Sequence, residues 1–148
     1  MIGLLQRVSG AKVEIDGRTM ARIERGLLVL IGIERDDTAA RGSRLLERLL
    51  SYRVFEDDTG RMNKSLRDLG AERGGLLLVS QFTLAADTRS GTRASFTPAA
   101  APDEARALYT GLVSEAQKIW PGTASGVFGA DMQISLVNDG PVTFWLEA

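Results

Sequence analysis

No cysteine and no histidine occur in the 148 residues. The first absence excludes a disulfide framework, a thiolate nucleophile and a cysteine-based zinc site. The second removes the commonest general base, the commonest metal ligand and the usual partner of a nucleophilic serine. Lysine is scarce too: Lys12, Lys64 and Lys118 stand against fifteen arginines, and a guanidinium does not act as a base at neutral pH. Chemistry in this chain therefore falls to carboxylates, backbone groups, hydroxyls, the few lysines or the substrate itself.

Other absences narrow the class. Eighteen basic against 19 acidic residues leave a net charge of −1, so no bulk polycation attracts nucleic acid, and any such contact rests on a local patch. The longest apolar run, from Leu27 to Ile33, is far short of the roughly 20 residues of a membrane span. The start, Met1 to Val13, lacks a basic stretch followed by an apolar core, so no secretory signal is expected. These features suggest a cytoplasmic protein with no membrane partner. No GxxxxGK[ST] or GxGxxG pattern supports a nucleotide loop. With 44% apolar and 25% charged residues, the chain has the composition of one globular domain over 1–148.

What is present reads as strands with two main helices. Segments 2–9 and 11–15 read as strands, and Asp16-Gly17 is a hairpin signal returning into 19–24. Branched residues in 27–33 predict a strand buried on both faces. Leu45, Leu46, Leu49 and Leu50 share one face of a helix predicted over 38–52, with Thr38 near its start. A small strand and loop follow at 54–62, then an apolar strand over 76–82. Residues 85–101 form one long irregular stretch, and Pro102 opens a second helix carrying Leu108, Leu112, Ala116 and Ile119. Strands over 132–137 and 142–146 complete an α+β expectation: a small, curled, β-barrel-like sheet with helices packed on it.

Three stretches are candidates for chemistry. Ser80-Gln81-Phe82-Thr83-Leu84 puts two hydroxyls and an amide at the end of a buried strand. Such residues either bond neighbouring backbone where strand becomes loop or furnish a polar site on a rigid element. Asn138-Asp139-Gly140-Pro141-Val142-Thr143 reads locally as a hairpin turn before an edge strand; a cis Gly-Pro bond is the alternative. The stretch Gly126 to Met132, containing Phe128, Gly129 and Ala130, is either a pocket wall or a tight turn in the core. The acidic groups Glu34-Asp36-Asp37 and Glu56-Asp57-Asp58 read as solvated charges, and no metal site is expected.

Taken in order, Gln6-Arg7-Val8, Gly26 to Leu30, Phe55-Glu56-Asp57, Met62-Asn63, the SQFTL of 80–84, Ala86 to Arg89, Gly129 to Met132 and the NxGPVT of 138–143 resemble the D-aminoacyl-tRNA deacylases across almost the whole chain. One departure lies at Gly91 to Phe96, where the family more often carries a second arginine and a proline; Arg89 and Arg93 remain.

The resemblance implies a homodimer whose active site lies at the subunit interface and needs no cofactor. Ser80, Gln81, Phe82 and Thr83 would form the catalytic stretch, and a cis Gly140-Pro141 of the partner would select chirality by excluding an L side chain. Arg7, Phe128, Gly129, Ala130, Met132 and Asn138 would line or support the pocket, and Lys64, Arg89 and Arg93 would contact tRNA. The implied partner is the aminoacylated 3′ end of tRNA, whose vicinal ribose hydroxyl can assist hydrolysis. Other readings are a nucleic-acid-binding module without catalysis, a related editing domain with a trans Gly-Pro bond, and a hydrolase of free D-amino-acid esters.

Overall fold

The computed structural model describes Met1 to Ala148. One strand, β1 (Ile2–Ile15), organises the sheet. It pairs antiparallel with β2 (Arg18–Ile23) along its second half and with β3 (Gly26–Gly32) along its first. A second long strand, β8 (Gln133–Glu147), runs antiparallel to it over nearly its whole length. The remaining neighbours are parallel: β3 beside β6 (Gly75–Ser80), and β6 beside β7 (Thr123–Ser125). A small hairpin joins β4 (Phe55–Glu56) to β5 (Met62–Lys64).

Three helices complete the chain: α1 (Ala39–Ser51), the single turn α2 (Leu66–Leu69) and α3 (Pro102–Ile119). The element order makes both parallel pairings crossovers that carry helices. No helix is long and apolar enough to cross a membrane.

Local chemistry accounts for the ends of these elements. The β1–β2 turn has positive φ at both Asp16 and Gly17, the type of turn whose twist matches paired strands. Thr38 caps α1 by accepting from the Arg41 N–H at 3.3 Å. Ser65 and Asp68 cap α2 reciprocally, and Pro102 opens α3 where a missing N–H costs nothing.

Alternation along the central strands then divides the core. Leu27, Val29 and Ile31 of β3, with Leu76 and Leu78 of β6, face α1 and α3. Leu28, Leu77 and Val79 face the inside of the curl, against Val8, Val13, Ala21 and Ile23. The run at 27–33 is thus covered on both faces. Leu45, Leu46, Leu49 and Leu50 of α1 are almost wholly buried, each worth roughly 1.5–3 kcal/mol relative to exposure. Along α3 the buried positions are Ala105, Tyr109, Leu112 and Ala116, whereas Ile119 is exposed.

The expected α+β curled sheet is present, with three differences in detail. Segments 2–9 and 11–15 are one strand, because Gly10 stays extended and paired with Val137. The hairpin expected at 138–141 does not exist: β8 continues through it, paired with β1 on both sides. The apolar strand expected to reach Phe82 ends at Ser80, where the chain winds into a 3-10 turn.

Curling also dictates two glycines. Gly26 and Gly75 face each other across β3 and β6, so close that a Cβ on Gly26 would lie 2.0 Å from the Gly75 carbonyl oxygen. A Cβ on Gly75 would lie 2.8 Å from Ile23 Cβ, where β2 folds back over β6. Gly26→Ala is therefore expected to cost at least about 1–3 kcal/mol in urea unfolding. Gly10→Ala, whose Cβ would meet nothing closer than 3.8 Å, should stay within about 1 kcal/mol of wild type. Equal stability of the two variants would contradict this close approach.

Candidate active site

A cleft of about 680 Å³ opens where β6 gives way to the 3-10 turn Phe82–Ala85. Val79, Ser80, Gln81 and Phe82 form one wall, and Phe128, Gly129, Ala130, Asp131 and Met132 form another. Phe96, Ala99, Ala100, Pro102 and Ala105 also border it. The lining is mostly apolar, and Asp131 is its one charged member.

The turn is built by strand pairing that runs out. Gln81 still donates its N–H to the Ile31 carbonyl at 2.7 Å, but Leu84 and Ala86 then bond back to Gln81 and Thr83. Gly32 permits the turn to cross the end of β3, since a Cβ there would sit 2.8 Å from Leu84 Cβ. The N–H groups of Phe82 and Thr83, at the start of the turn, have no partner within the turn, and the Gln81 side chain does not cap them. The Thr83 hydroxyl accepts from the Gln81 amide at 2.7 Å. An amide N–H cannot take up a hydroxyl proton, so Thr83 has no base beside it.

The opposite wall is fixed from behind. Gly126 N–H donates to the Leu78 carbonyl at 2.9 Å, joining this segment to the end of β6–β7 pairing. Tyr109 of α3 donates its buried hydroxyl to the same Leu78 carbonyl at 2.9 Å. Burial pushes the Tyr109 phenol above its ordinary value, which leaves it a structural donor at neutral pH. Gly129 has φ +77, a turn conformation that aims Phe128 back onto Tyr109, with ring centroids 5.9 Å apart. The segment is thus both a tight turn and a cleft wall.

The Gly-Pro segment lies elsewhere. Between the pairs Gln6–Thr143 and Val8–Asn138, Arg7 alone on β1 faces residues 139–142 on β8, which loop out of the ladder. Asn138 closes the loop: its Oδ1 accepts from Val142 N–H at 2.7 Å, and its Nδ2 donates to Thr143 Oγ1 at 2.9 Å. Arg7, only 7% exposed, donates from Nε to the Asp139 carbonyl at 2.7 Å and from Nη1 to the Val54 carbonyl at 2.6 Å. The Asp139 carboxylate lies 3.7 Å from the same guanidinium.

Gly140 has φ +143, and a Cβ there would come within 2.7 Å of Val142 Cγ2 and 3.0 Å of Arg7 Nη2. The Gly140-Pro141 bond is cis. Both residues are exposed, and none of Arg7, Asn138, Gly140 and Pro141 lines the cleft of the same chain.

The three candidate RNA contacts also stand outside the cleft lining. Lys64 pairs with Asp58 at 2.9 Å on the small hairpin. Arg89 grips Asp87 through Nε at 2.9 Å and Nη2 at 2.6 Å, while Arg93 is exposed with no ion pair. Asp131 falls within the stretch expected as a pocket wall, whereas sequence reading missed Phe96, Ala99, Ala100 and the start of α3 as cleft lining. An aromatic isolated among Ser, Thr and Ala at 94–98 was the signal for Phe96, whose ring centroid is 5.1 Å from that of Phe82.

Two acidic groups are not merely solvated. The Asp37 side chain is buried against the Met1 ammonium. Asp57 gathers Thr59, Asn63 and the Arg61 N–H around its carboxylate.

An apolar cleft with Asp131 as its one charged member, a bonded Thr83 hydroxyl and no histidine suits a site that works by placing its substrate. The family model described as D-Tyr-tRNA(Tyr) deacylase matches residues 4–147, and the chain belongs to that family. It is 63% identical over 147 residues to a D-aminoacyl-tRNA deacylase of Thioalkalivibrio sulfidiphilus, covering 99% of this chain and 97% of the relative. The corresponding relative in Stutzerimonas stutzeri is 58% identical, with both chains covered in full. Among solved structures, a c-Myc DNA unwinding element binding protein superposes with a TM-score of 0.92 at 35% identity, covering 100% of this chain and 99% of that one. A probable eukaryotic D-amino acid tRNA deacylase shares the fold at a TM-score of 0.86 and 18% identity, covering 99% and 98%.

The carboxylates of Asp57 and Asp87 are held below the usual range, the first chiefly by the Thr59 hydroxyl and the second chiefly by the Arg89 guanidinium. A depressed value means these bonds are intact above the ordinary carboxylate value of 3.8 and are lost only as pH falls below it. A carbon-detected NMR titration should find both side chains still ionised near pH 3, roughly one unit below the ordinary midpoint. Midpoints at or above the ordinary value would contradict the arrangement, and with it the commitment of Arg89 to Asp87 at neutral pH.

Proposed function

We propose that the protein hydrolyses the ester joining a D-amino acid to the 3′-terminal ribose of tRNA. Water adds to the acyl carbon, the bond to the ribose oxygen breaks, and free D-amino acid and tRNA with a restored hydroxyl leave. The observation that carries the reading is the uncapped start of the 3-10 turn at Phe82 and Thr83, whose N–H groups have no partner within the turn, beside the apolar cleft. Such donors stabilise an oxyanion without any titrating side chain, and removing one typically costs about 100–1000-fold in rate. The vicinal hydroxyl of the ribose orients or activates water, which answers the lack of a histidine.

The same reading makes the enzyme a homodimer of single domains spanning 1–148. The Gly140-Pro141 loop is exposed and lies outside its own cleft, so it serves the cleft of a second copy. Around it β8 leaves its outer edge unpaired and exposes Leu136, Val137 and Trp145, an apolar edge that a partner would cover. Carbonyls of the inserted loop accept hydrogen bonds from the substrate ammonium. The loop occupies the space an L side chain would need, so selection works by exclusion. Ser80 and Gln81 shape the floor, and Phe128, Gly129, Ala130 and Met132 form the wall. Lys64, Arg89 and Arg93 are the proposed RNA contacts, with Arg93 the one free of an internal carboxylate.

A binding module without catalysis is the competing reading. It predicts salt-sensitive nucleic-acid binding and no release of amino acid. Matched D-tyrosyl-tRNA and L-tyrosyl-tRNA, with D-tyrosine ethyl ester alongside, separate the readings. Rapid loss of the D-tRNA ester alone is expected; release from none of them would favour the binding module. Glycyl-tRNA should also be hydrolysed, because glycine offers no side chain to exclude, and its resistance would count against simple exclusion.

Thr83→Ala tests the role of the hydroxyl. It should retain activity within about tenfold of wild type, whereas loss of a true nucleophile costs on the order of 10⁶-fold in a serine hydrolase. A loss of that size in a folded variant would make Thr83 the nucleophile.

A further inference from the structure

Arg106 is a cation with no carboxylate partner at the back of the cleft wall. It projects from the second turn of α3, is exposed, and forms no ion pair. Its guanidinium lies 4.9 Å from the centroid of the Phe128 ring. One of its terminal nitrogens, Nη2, is 3.6 Å from where a Cβ on Gly129 would be. Phe128 and Gly129 both line the cleft, so the side chain packs against two residues of its wall without itself lining it. Asp103 and Glu104 on its own helix are exposed, as is Asp131 on the wall, and none of them forms an ion pair with it.

The cleft itself supplies no positive charge. Its lining is apolar apart from Asp131 and the polar groups at 80–81. An amino acid esterified to a terminal nucleotide carries a phosphodiester about one nucleotide away from the ester. That phosphate falls outside the apolar cleft and needs a donor at its margin. Arg89 is engaged by Asp87 and Lys64 by Asp58, whereas Arg106, like Arg93, is held by no carboxylate and alone of these packs on a wall residue. Stacking on Phe128 restrains the Arg106 guanidinium while leaving donors outward, an arrangement suited to phosphate.

We propose that Arg106 is a substrate-binding residue that contacts the phosphate joining the last two nucleotides of the acceptor end. The inference rests on the deacylase reading and adds a contact to it. Arg106 touches no reacting atom, so its contribution is made in binding and positioning.

The test compares wild type, Arg106→Gln and Arg106→Lys on two substrates: D-tyrosyl-tRNA and 3′-O-D-tyrosyl-adenosine, which has no phosphate. With tRNA, Arg106→Gln should raise KM about five- to twentyfold with kcat within twofold. The slope of log(kcat/KM) against log salt should fall by roughly 0.7 for one lost phosphate contact. With the phosphate-free substrate the variant should match wild type, and Arg106→Lys should recover part of the loss on tRNA.

Equal losses on both substrates would assign Arg106 to support of Phe128 and overturn the proposal. Unchanged KM and salt slope on tRNA would overturn it as well. A folded wild type that cleaves neither substrate would overturn the deacylase reading and this inference together. Wild-type activity with a silent Arg106→Gln would overturn the inference alone.

Discussion

A buried guanidinium in the middle of β1 ties the distant parts of this protein together. Arg7 sits where β1 loses its partner on β8, and it reaches both the Asp139 carbonyl and the Val54 carbonyl ahead of β4. Taking a charge out of water is costly unless its donors are satisfied, so the Arg7 contacts constrain the loop as strongly as the loop constrains Arg7. From one side Asn138 closes the excursion, and from the other Arg7 holds its first carbonyl. Gly140 is then the residue that fits, since a Cβ would run into both Val142 and the guanidinium. A surface loop of four residues becomes a stiff projection from the β1–β8 ladder.

The cleft is built on a different principle. Its polar groups come from backbone whose regular pairing stops: Phe82 and Thr83 lose their acceptors because the chain leaves β6 for a 3-10 turn. The wall at 126–132 is held by a Tyr109 hydroxyl that bonds the Leu78 carbonyl and does not titrate near neutrality. Selectivity and catalysis by backbone groups demand rigidity more than reactive side chains. A chain without histidine or cysteine is consistent with that economy.

Much of this was legible in the sequence where local signals are strong. The branched run at 27–33, the Thr38 cap with its leucine face and the Asp16-Gly17 turn each state their structure within a few residues. The long strands were harder. Gly10 and Asn138 to Pro141 carry the usual marks of breaks, yet each is bridged by pairing to a strand more than a hundred residues away, which no local pattern reveals. The short α2 escaped notice because four residues show no periodicity, although Ser65 and Asp68 do carry its cap. Asp37 looked like a solvated acid because its partner, the Met1 ammonium, is remote in sequence and is brought alongside only by the pairing of Ile2 with Gly32. At the site, the ordered motifs located SQFTL and NxGPVT, and the resemblance they carry implied a loop that serves a partner; within one chain the two do stand apart.

In the function we propose, that separation is central, because each cleft is completed by the loop of a second copy. Subunit mixing tests it directly. One variant carries Gly140→Phe, which spoils the loop, and the other Ala130→Trp, which fills the cleft; each alone should form an inactive dimer. When the two are unfolded together and refolded, half of the dimers are mixed and each contains one intact composite site, so roughly a quarter of wild-type activity should return. Absence of any recovery, with mixed dimers demonstrated by mass spectrometry, would mean that cleft and loop act within one chain and would contradict the account.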